Sequence, residues 1–245
     1  MRNEGEFGDA ACAASAIDWW TAAGVDVLVD EAPRDWLAPS TARVAAPASA
    51  TSSTPVAAHD KALPTDLAAF QAWLLASPDV PLAGPPALRV GPAGNPAGGL
   101  AVVTDMAEPE DRAADQLLSG AVGRLVDRIL AALGRDRASA YLLPLVPGRP
   151  PNGRIDAASL PRLAEIARTH IALAAPRMVV AFGDAASCAL AGDDLSASRG
   201  TVHSLDLGSG TVPLVTTFHP RFLLQHPAAK AHAWRDLQPI VDMTR

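Results

Sequence analysis

Two short stretches hold side chains whose types and spacing suit chemistry. Residues 104–112 read TDMAEPEDR, with four carboxylates (Asp105, Glu108, Glu110 and Asp111) around one proline. Residues 218–227 read FHPRFLLQHP, in which a proline directly follows the His219 imidazole. A carboxylate can orient or deprotonate a water molecule. An imidazole can donate a hydrogen bond to an oxygen on which negative charge develops. The first stretch also reads as the solvated acidic start of a helix, and His219 as a packed ring. The other histidines are weaker: His170 falls inside a helix, His226 precedes a proline and His232 lies on the last helix. Their spacings fit no zinc pattern, and no GxGxxG, P-loop, GxSxG or HExxH motif occurs.

These groups need elements to position them, and from residue 100 onward strands and helices alternate. LAVVT (100–104), AYLLPLV (140–146), RMVVAFG (177–183) and TVPLVTTFHP (211–220) are short, nearly continuous apolar runs, the pattern of strands buried on both faces. Between and after them lie helical patterns at 120–134, 158–175, 184–192 and 227–243. The first carries Val122, Leu125, Ile129 and Leu133 along one face. Such alternation predicts βαβ units and a three-layer α/β/α sandwich around a four-stranded parallel sheet. Sites in such sheets lie at the carboxyl ends of strands. Asp105 follows the first strand and His219 the fourth, so both fall on that edge. After the third strand, Gly183 allows close backbone approach and Asp184 suits a helix N-cap.

Composition bounds the rest. Of 245 residues, 49% are hydrophobic and 19% charged, which excludes a wholly disordered chain. No run of about 18 apolar residues suggests a membrane span. The N-terminus has acids where a secretory signal needs basic residues, so the expected location is the cytoplasm. The two cysteines, Cys12 and Cys188, cannot make a disulfide scaffold or a four-thiolate site. Residues 1–38 read as a helical segment, with a helix at 11–23. Residues 39–60 form an Ala/Ser/Thr/Pro linker, and 61–245 the main domain. Within that domain a further helix spans 64–76, with Thr65 as its N-cap. Trp19, Trp20 and Trp36 make the N-terminal segment a candidate anchor for a protein partner. The expected state is a monomer. Residues 1–99 hold 5 Lys+Arg and 11 Asp+Glu, so the whole net charge of −6 sits there. Residues 100–245 are neutral, so contact with nucleic acid requires a local basic cluster.

At the strand ends, residues 64–245 resemble the uracil-DNA glycosylase superfamily, particularly its iron–sulfur, family-4-type branch. TTFHPRFLLQHPAAKAHAWRDL is similar to that family's His-Pro motif, DNA-wedging loop and last helix. RMVVAFGDAASCAL resembles its third strand and turn. GNPAGGLAVVTDMAEPEDR resembles its first motif, and RPPNGR (149–154) its Arg-Pro-Pro loop. The resemblance implies hydrolysis of the N-glycosidic bond of a base flipped out of DNA. It implies that Asp105 positions water and that His219 stabilises the leaving base. It places Leu118 at the base-stacking position and Pro144 at the base-reading position. In a domain that is neutral overall, a local cluster such as Arg149, Arg154, Arg199 and Arg221 is what can meet phosphates. Phe222, Leu223 and Leu224 are either core or a wedge that enters a partner, the wedge being what the resemblance implies.

The chain also departs from the family. Asp105 stands where the family has Glu. Leu118 has no π face, and Pro144 has neither an amide side chain nor a backbone donor. The four cluster thiolates fall near Val80, position 84, Gly148 and Leu163, none of them Cys. No iron–sulfur cluster, metal or other cofactor is therefore expected. Two readings follow: a divergent DNA glycosylase, or a glycosylase-fold protein that binds DNA or a repair partner without excising uracil.

Overall fold

A computed structural model describes residues 62–244. The expected N-terminal helix, the tryptophan anchor and the linker lie outside these residues. The four expected strands form and run parallel: β2 (Leu100–Met106), β3 (Ala140–Val146), β4 (Met178–Phe182) and β6 (Thr211–Thr217). The sheet is nevertheless six-stranded and mixed, in the order β1-β3-β2-β4-β6-β5. The two extra strands are antiparallel edges, β1 (Ala93–Gly94) beside β3 and β5 (Val202–Asp206) beside β6. β1 is only two residues long. β5 is polar and mostly exposed, which suits an edge strand.

The period of two along each strand sends alternate residues to opposite faces. Ala101, Val103, Tyr141, Leu143 and Val179 pack beneath α4 (Leu160–Ala174) and α5 (Asp184–Ala191). Leu100, Val102, Leu142, Val180 and Phe182 pack beneath α3 (Gly120–Ala132) and α8 (Lys230–Thr244). Helices on both faces complete the three layers. α1 (Leu67–Ala76) adds a smaller cluster, in which Phe70 and Leu74 meet Ile166 of α4. Its N-cap is Asp66 rather than Thr65, and the Asp66 carboxylate accepts from Ala69 N–H at 2.9 Å. On α3 the buried stripe is Val122, Val126 and Leu130, leaving Leu125 and Ile129 only half-buried. Among the described residues no helix is long and apolar enough to cross a membrane.

Pro144 sits in a strand interior, where a missing N–H ordinarily costs a ladder bond. Ala140's carbonyl accepts from Asn95 N–H at 3.0 Å, so the even-numbered residues of β3 turn their peptide groups toward β1. β1 pairs only with Tyr141 and Leu142. The nitrogen of Pro144 thus faces the side on which β1 has already ended, and no ladder bond to β1 is lost there.

One polar chain crosses the interface of β3 with α4 and α1. Gln71 Nε2 donates to the Tyr141 hydroxyl at 2.7 Å, and that hydroxyl lies 2.8 Å from His170 Nε2. Burial pushes the Tyr141 hydroxyl up to about 12 and the His170 imidazole down to about 4. Tyr141 is therefore the donor and neutral His170 the acceptor. The folded His170 refuses a proton that the unfolded chain takes up near the ordinary value of 6.5. Its contribution is complete above that value and is lost as pH falls toward about 4. The expected loss is at most about 3 kcal/mol, because each tenfold change in proton affinity is worth about 1.4 kcal/mol. Urea unfolding of wild type and His170→Gln at pH about 7.5 and about 5 checks this: stability should fall with pH in wild type and fall distinctly less in the variant.

Candidate active site

The chain leaves β2 at Met106 and β6 at Thr217 on the same edge of the sheet, with β4 between them. His219 is the N-cap of α7 (Pro220–Gln225), a short helix begun by a proline at its first position. Its Nδ1 accepts the Arg221 backbone N–H at 3.0 Å. That bond leaves Nε2 as the protonated nitrogen of the neutral ring. Nε2 lies 2.9 Å from Thr104 Oγ1 and 3.2 Å from Asp105 Oδ1. Gly183, at the end of β4, makes the approach possible: a Cβ there would stand 3.2 Å from the Cβ of His219, and φ is +90°. Only glycine adopts that backbone cheaply.

Asp105 and His219, expected on one edge of the sheet, meet there. The two side chains touch. A second contact draws the loops together, because Arg221 forks onto Glu108. Its Nε lies 3.1 Å from both carboxylate oxygens and its Nη2 2.7 Å from Oε1. Arg221 Nη2 also lies 3.6 Å from Asp105 Oδ1. Burial opposes the charge on Asp105, but its contact with His219 and the charge of the nearby Arg221 outweigh it. The carboxyl is held below its ordinary range. Arg221 is likewise opposed by burial and held charged by Glu108 and Asp105.

Asp111 organises the loop that follows. It is fully buried and accepts four bonds, from the backbone N–H groups of Glu108, Leu118 and Ser119 and from the Ser119 hydroxyl, at 2.6–2.9 Å. Leu118 takes a left-handed backbone at φ +55°. Its carbonyl accepts from Arg137 Nη2 at 2.6 Å, and its side chain is fully buried in the core on the α3 face. The leucine at the stacking position is thus a core residue.

The remaining expected residues divide. Arg149 is exposed, and its Nη1 donates to the Ala107 carbonyl at 3.2 Å, beside the Asp105 loop. Arg154 is exposed and has no side-chain partner among the described residues. Arg199 is drawn elsewhere: it forks onto Asp236 of α8 at 3.1–3.3 Å, and its guanidinium carbon lies 4.1 Å from the centre of the Phe218 ring. Pro144 is buried beside Thr104 in the sheet register. Leu223 is 2% exposed and belongs to the core, so the apolar side chains that α7 shows to solvent are Phe222 and Leu224, at 38% and 39%. Phe222 lies between Phe218, 5.0 Å away and nearly parallel, and His226, 4.3 Å away.

Sequence reasoning missed Thr104, the Glu108–Arg221 pair and the closing role of Asp111. The proline after His219 did mark an N-cap, the signal from which the fixed imidazole was readable.

Residues 100–238 match the family model of the uracil DNA glycosylase superfamily. That is more than half of the chain, and the protein belongs to this superfamily. Its relatives include a type-4 uracil-DNA glycosylase of Pyrobaculum aerophilum, 27% identical over 150 residues that span 57% of this chain and 74% of that protein. The chain is thus family-4-like.

The iron–sulfur cluster implied by that branch does not fit the residues present. The corresponding positions offer Val80, the turn at Gly84, Gly148 and Leu163. Val80 and Leu163 are buried apolar side chains. A Cβ on Gly148 would stand 2.0 Å from the Ala83 carbonyl oxygen, so no cysteine enters there without backbone movement. Arg89 ties this segment instead. Its guanidinium donates to the carbonyls of Leu74 and Ser77 at the end of α1, and twice to that of Gly84, at 2.8–3.1 Å. Arg89→Ala is expected to cost about 1–3 kcal/mol and to lower the melting temperature by several degrees, with partial recovery in Arg89→Lys. Calorimetry of the three proteins checks this.

Proposed function

We propose that the protein hydrolyses the N-glycosidic bond of a damaged base flipped out of DNA. The observation that carries this reading is the His219 ring. Its Nδ1 is fixed by a backbone N–H, so its Nε2–H is turned toward Thr104 Oγ1, 2.9 Å away, with the Asp105 carboxylate at 3.2 Å, on the edge where ligands of such sheets bind. The Pyrobaculum relative, a uracil-DNA glycosylase by name, supports DNA as the substrate.

In the closed arrangement Asp105 and Thr104 occupy the Nε2–H donor. An entering base carbonyl replaces them as acceptor. That exchange frees Asp105 to take a water molecule. As the bond between C1′ and the base nitrogen breaks, its electron pair leaves with the base. His219 Nε2–H then stabilises the charge gathering on the base oxygen. The water oxygen attacks C1′ and its proton passes to Asp105, leaving an abasic sugar. Arg221 keeps Asp105 ionised for that task, and Glu108 holds Arg221 in place. Arg149 and Arg154 are the exposed cations available to the phosphates, which dominate affinity and make it salt-dependent.

A second reading, a binder that excises nothing, draws on Leu118 and Pro144. With the one in the core and the other in the sheet, neither position offers a stacking ring or an amide to read a base edge.

The test is strand cleavage at abasic sites, using single- and double-stranded oligonucleotides that carry uracil, hypoxanthine or xanthine. Wild type should cleave at least one substrate, and His219→Ala should be slower by about 10²–10³. Asp105→Asn should also be slower, while both variants keep wild-type affinity for an abasic product. Cleavage of none of the panel by wild type establishes the binder. Equal cleavage by all three proteins removes Asp105 and His219 from the mechanism.

A further inference from the structure

Behind the helix that His219 caps, α3, α7 and α8 line a half-open apolar cavity of about 140 Å³. Leu125, Ile129 and Ala132 form one wall and Ala233, Trp234 and Leu237 the other, with Leu223 at the base. An apolar cavity of about 150 Å³ takes a benzene-sized group, so this one accepts a single ring or leucine side chain. Trp234 is 39% exposed at its lip. The rim is cationic. Arg128 and Lys230 line it, and Arg124 lies one turn before Arg128 on the same face of α3. All three are exposed, and none has an ion-pair partner among the described residues. Neither helix stripe that faces the cavity carries an acid. Nearby Asp127 is already held by Arg137 at 2.6 Å.

We propose that this cavity docks an acidic segment of a partner protein through one aromatic or leucine side chain, with carboxylates on either side of it meeting Arg124, Arg128 and Lys230. Charge complementarity selects the partner: an apolar socket ringed by uncompensated cations favours an apolar anchor among acids and repels a basic segment. A nucleic-acid strand would satisfy the cations but leave the apolar socket unfilled. The site also touches the catalytic loop. Leu223 forms the cavity base, and its N–H donates to the His219 carbonyl at 3.2 Å. An occupied socket therefore braces the helix that His219 caps.

The test uses fluorescence anisotropy with a labelled poly-aspartate peptide ending in Phe and its counterpart ending in Ser. The Phe-ended peptide should bind with Kd on the order of 10–100 µM, and the Ser-ended one at least about tenfold more weakly. Arg128→Glu/Lys230→Glu and, independently, Trp234→Ala should each weaken the Phe-ended peptide by about tenfold or more. Arg177→Glu, a distant charge reversal, should leave it unchanged. Equal binding of the two peptides, or no binding of either, overturns the proposal. So does a charge reversal that weakens binding of an undamaged single-stranded oligonucleotide while sparing the peptide.

Discussion

A forked ion pair joins two loops that lie 113 residues apart in the chain. Arg221, four residues past the end of β6, grips Glu108, two residues past the end of β2. Everything at the carboxyl edge is arranged around that grip. It brings the α7 N-terminus against the β2 loop, sets His219 within reach of Asp105, and gives Asp105 the neighbouring cation that keeps it charged. The pair is half-sheltered: Glu108 is almost wholly buried, while about a third of the Arg221 side chain meets solvent. Taking charges out of water opposes such a pair, so its gain rests on geometry and on additional hydrogen bonds. Here three N–O contacts and the nearby Asp105 supply them. Removing one partner alone would leave the other charge without compensation in a poor environment for it. That makes the fork a device of position more than of stability.

Asp111 does for the loop after β2 what the fork does between loops. Its carboxylate gathers four donors that no helix or strand satisfies, which lets Leu118 adopt a left-handed backbone and turn its side chain into the core. Pro144 stands beside Thr104 in the sheet register. What remains polar is the Thr104–Asp105–His219 group with Arg221 and Glu108. On the proposed function, a substrate enters by displacing Thr104 and Asp105 from the Nε2–H donor.

The four central strands were legible because a strand covered by helices on both faces must be largely apolar, and Leu100–Val103, Tyr141–Leu143, Val179–Phe182 and Val212–Val215 are. The edge strands were not. β1 is too short to show any period, and β5 is polar because one side of an edge meets water. Asp105 and His219 could be placed on one edge from topology alone. Their contact could not, since it depends on an arginine gripping a glutamate far away in sequence. Phe222, Leu223 and Leu224 read as either core or wedge because three apolar residues in a row hide which one faces inward, and six residues of helix turn Leu223 in and Phe222 and Leu224 out. Arg199 looked like a free cation. Its partner, Asp236, lies on a helix whose packing no local spacing encodes.

A backbone N–H holds His219 with its proton on Nε2, which in the proposed mechanism is the donor to the leaving base. Nitrogen-15 NMR of the His219 ring measures this directly, free and with a non-cleavable uracil analogue in single-stranded DNA. Nε2 should carry the proton and Nδ1 none in both states, with the Nε2 resonance moving when DNA binds as the base takes the place of Thr104 and Asp105. A proton on Nδ1, or an Nε2 signal unmoved by bound DNA, would contradict it.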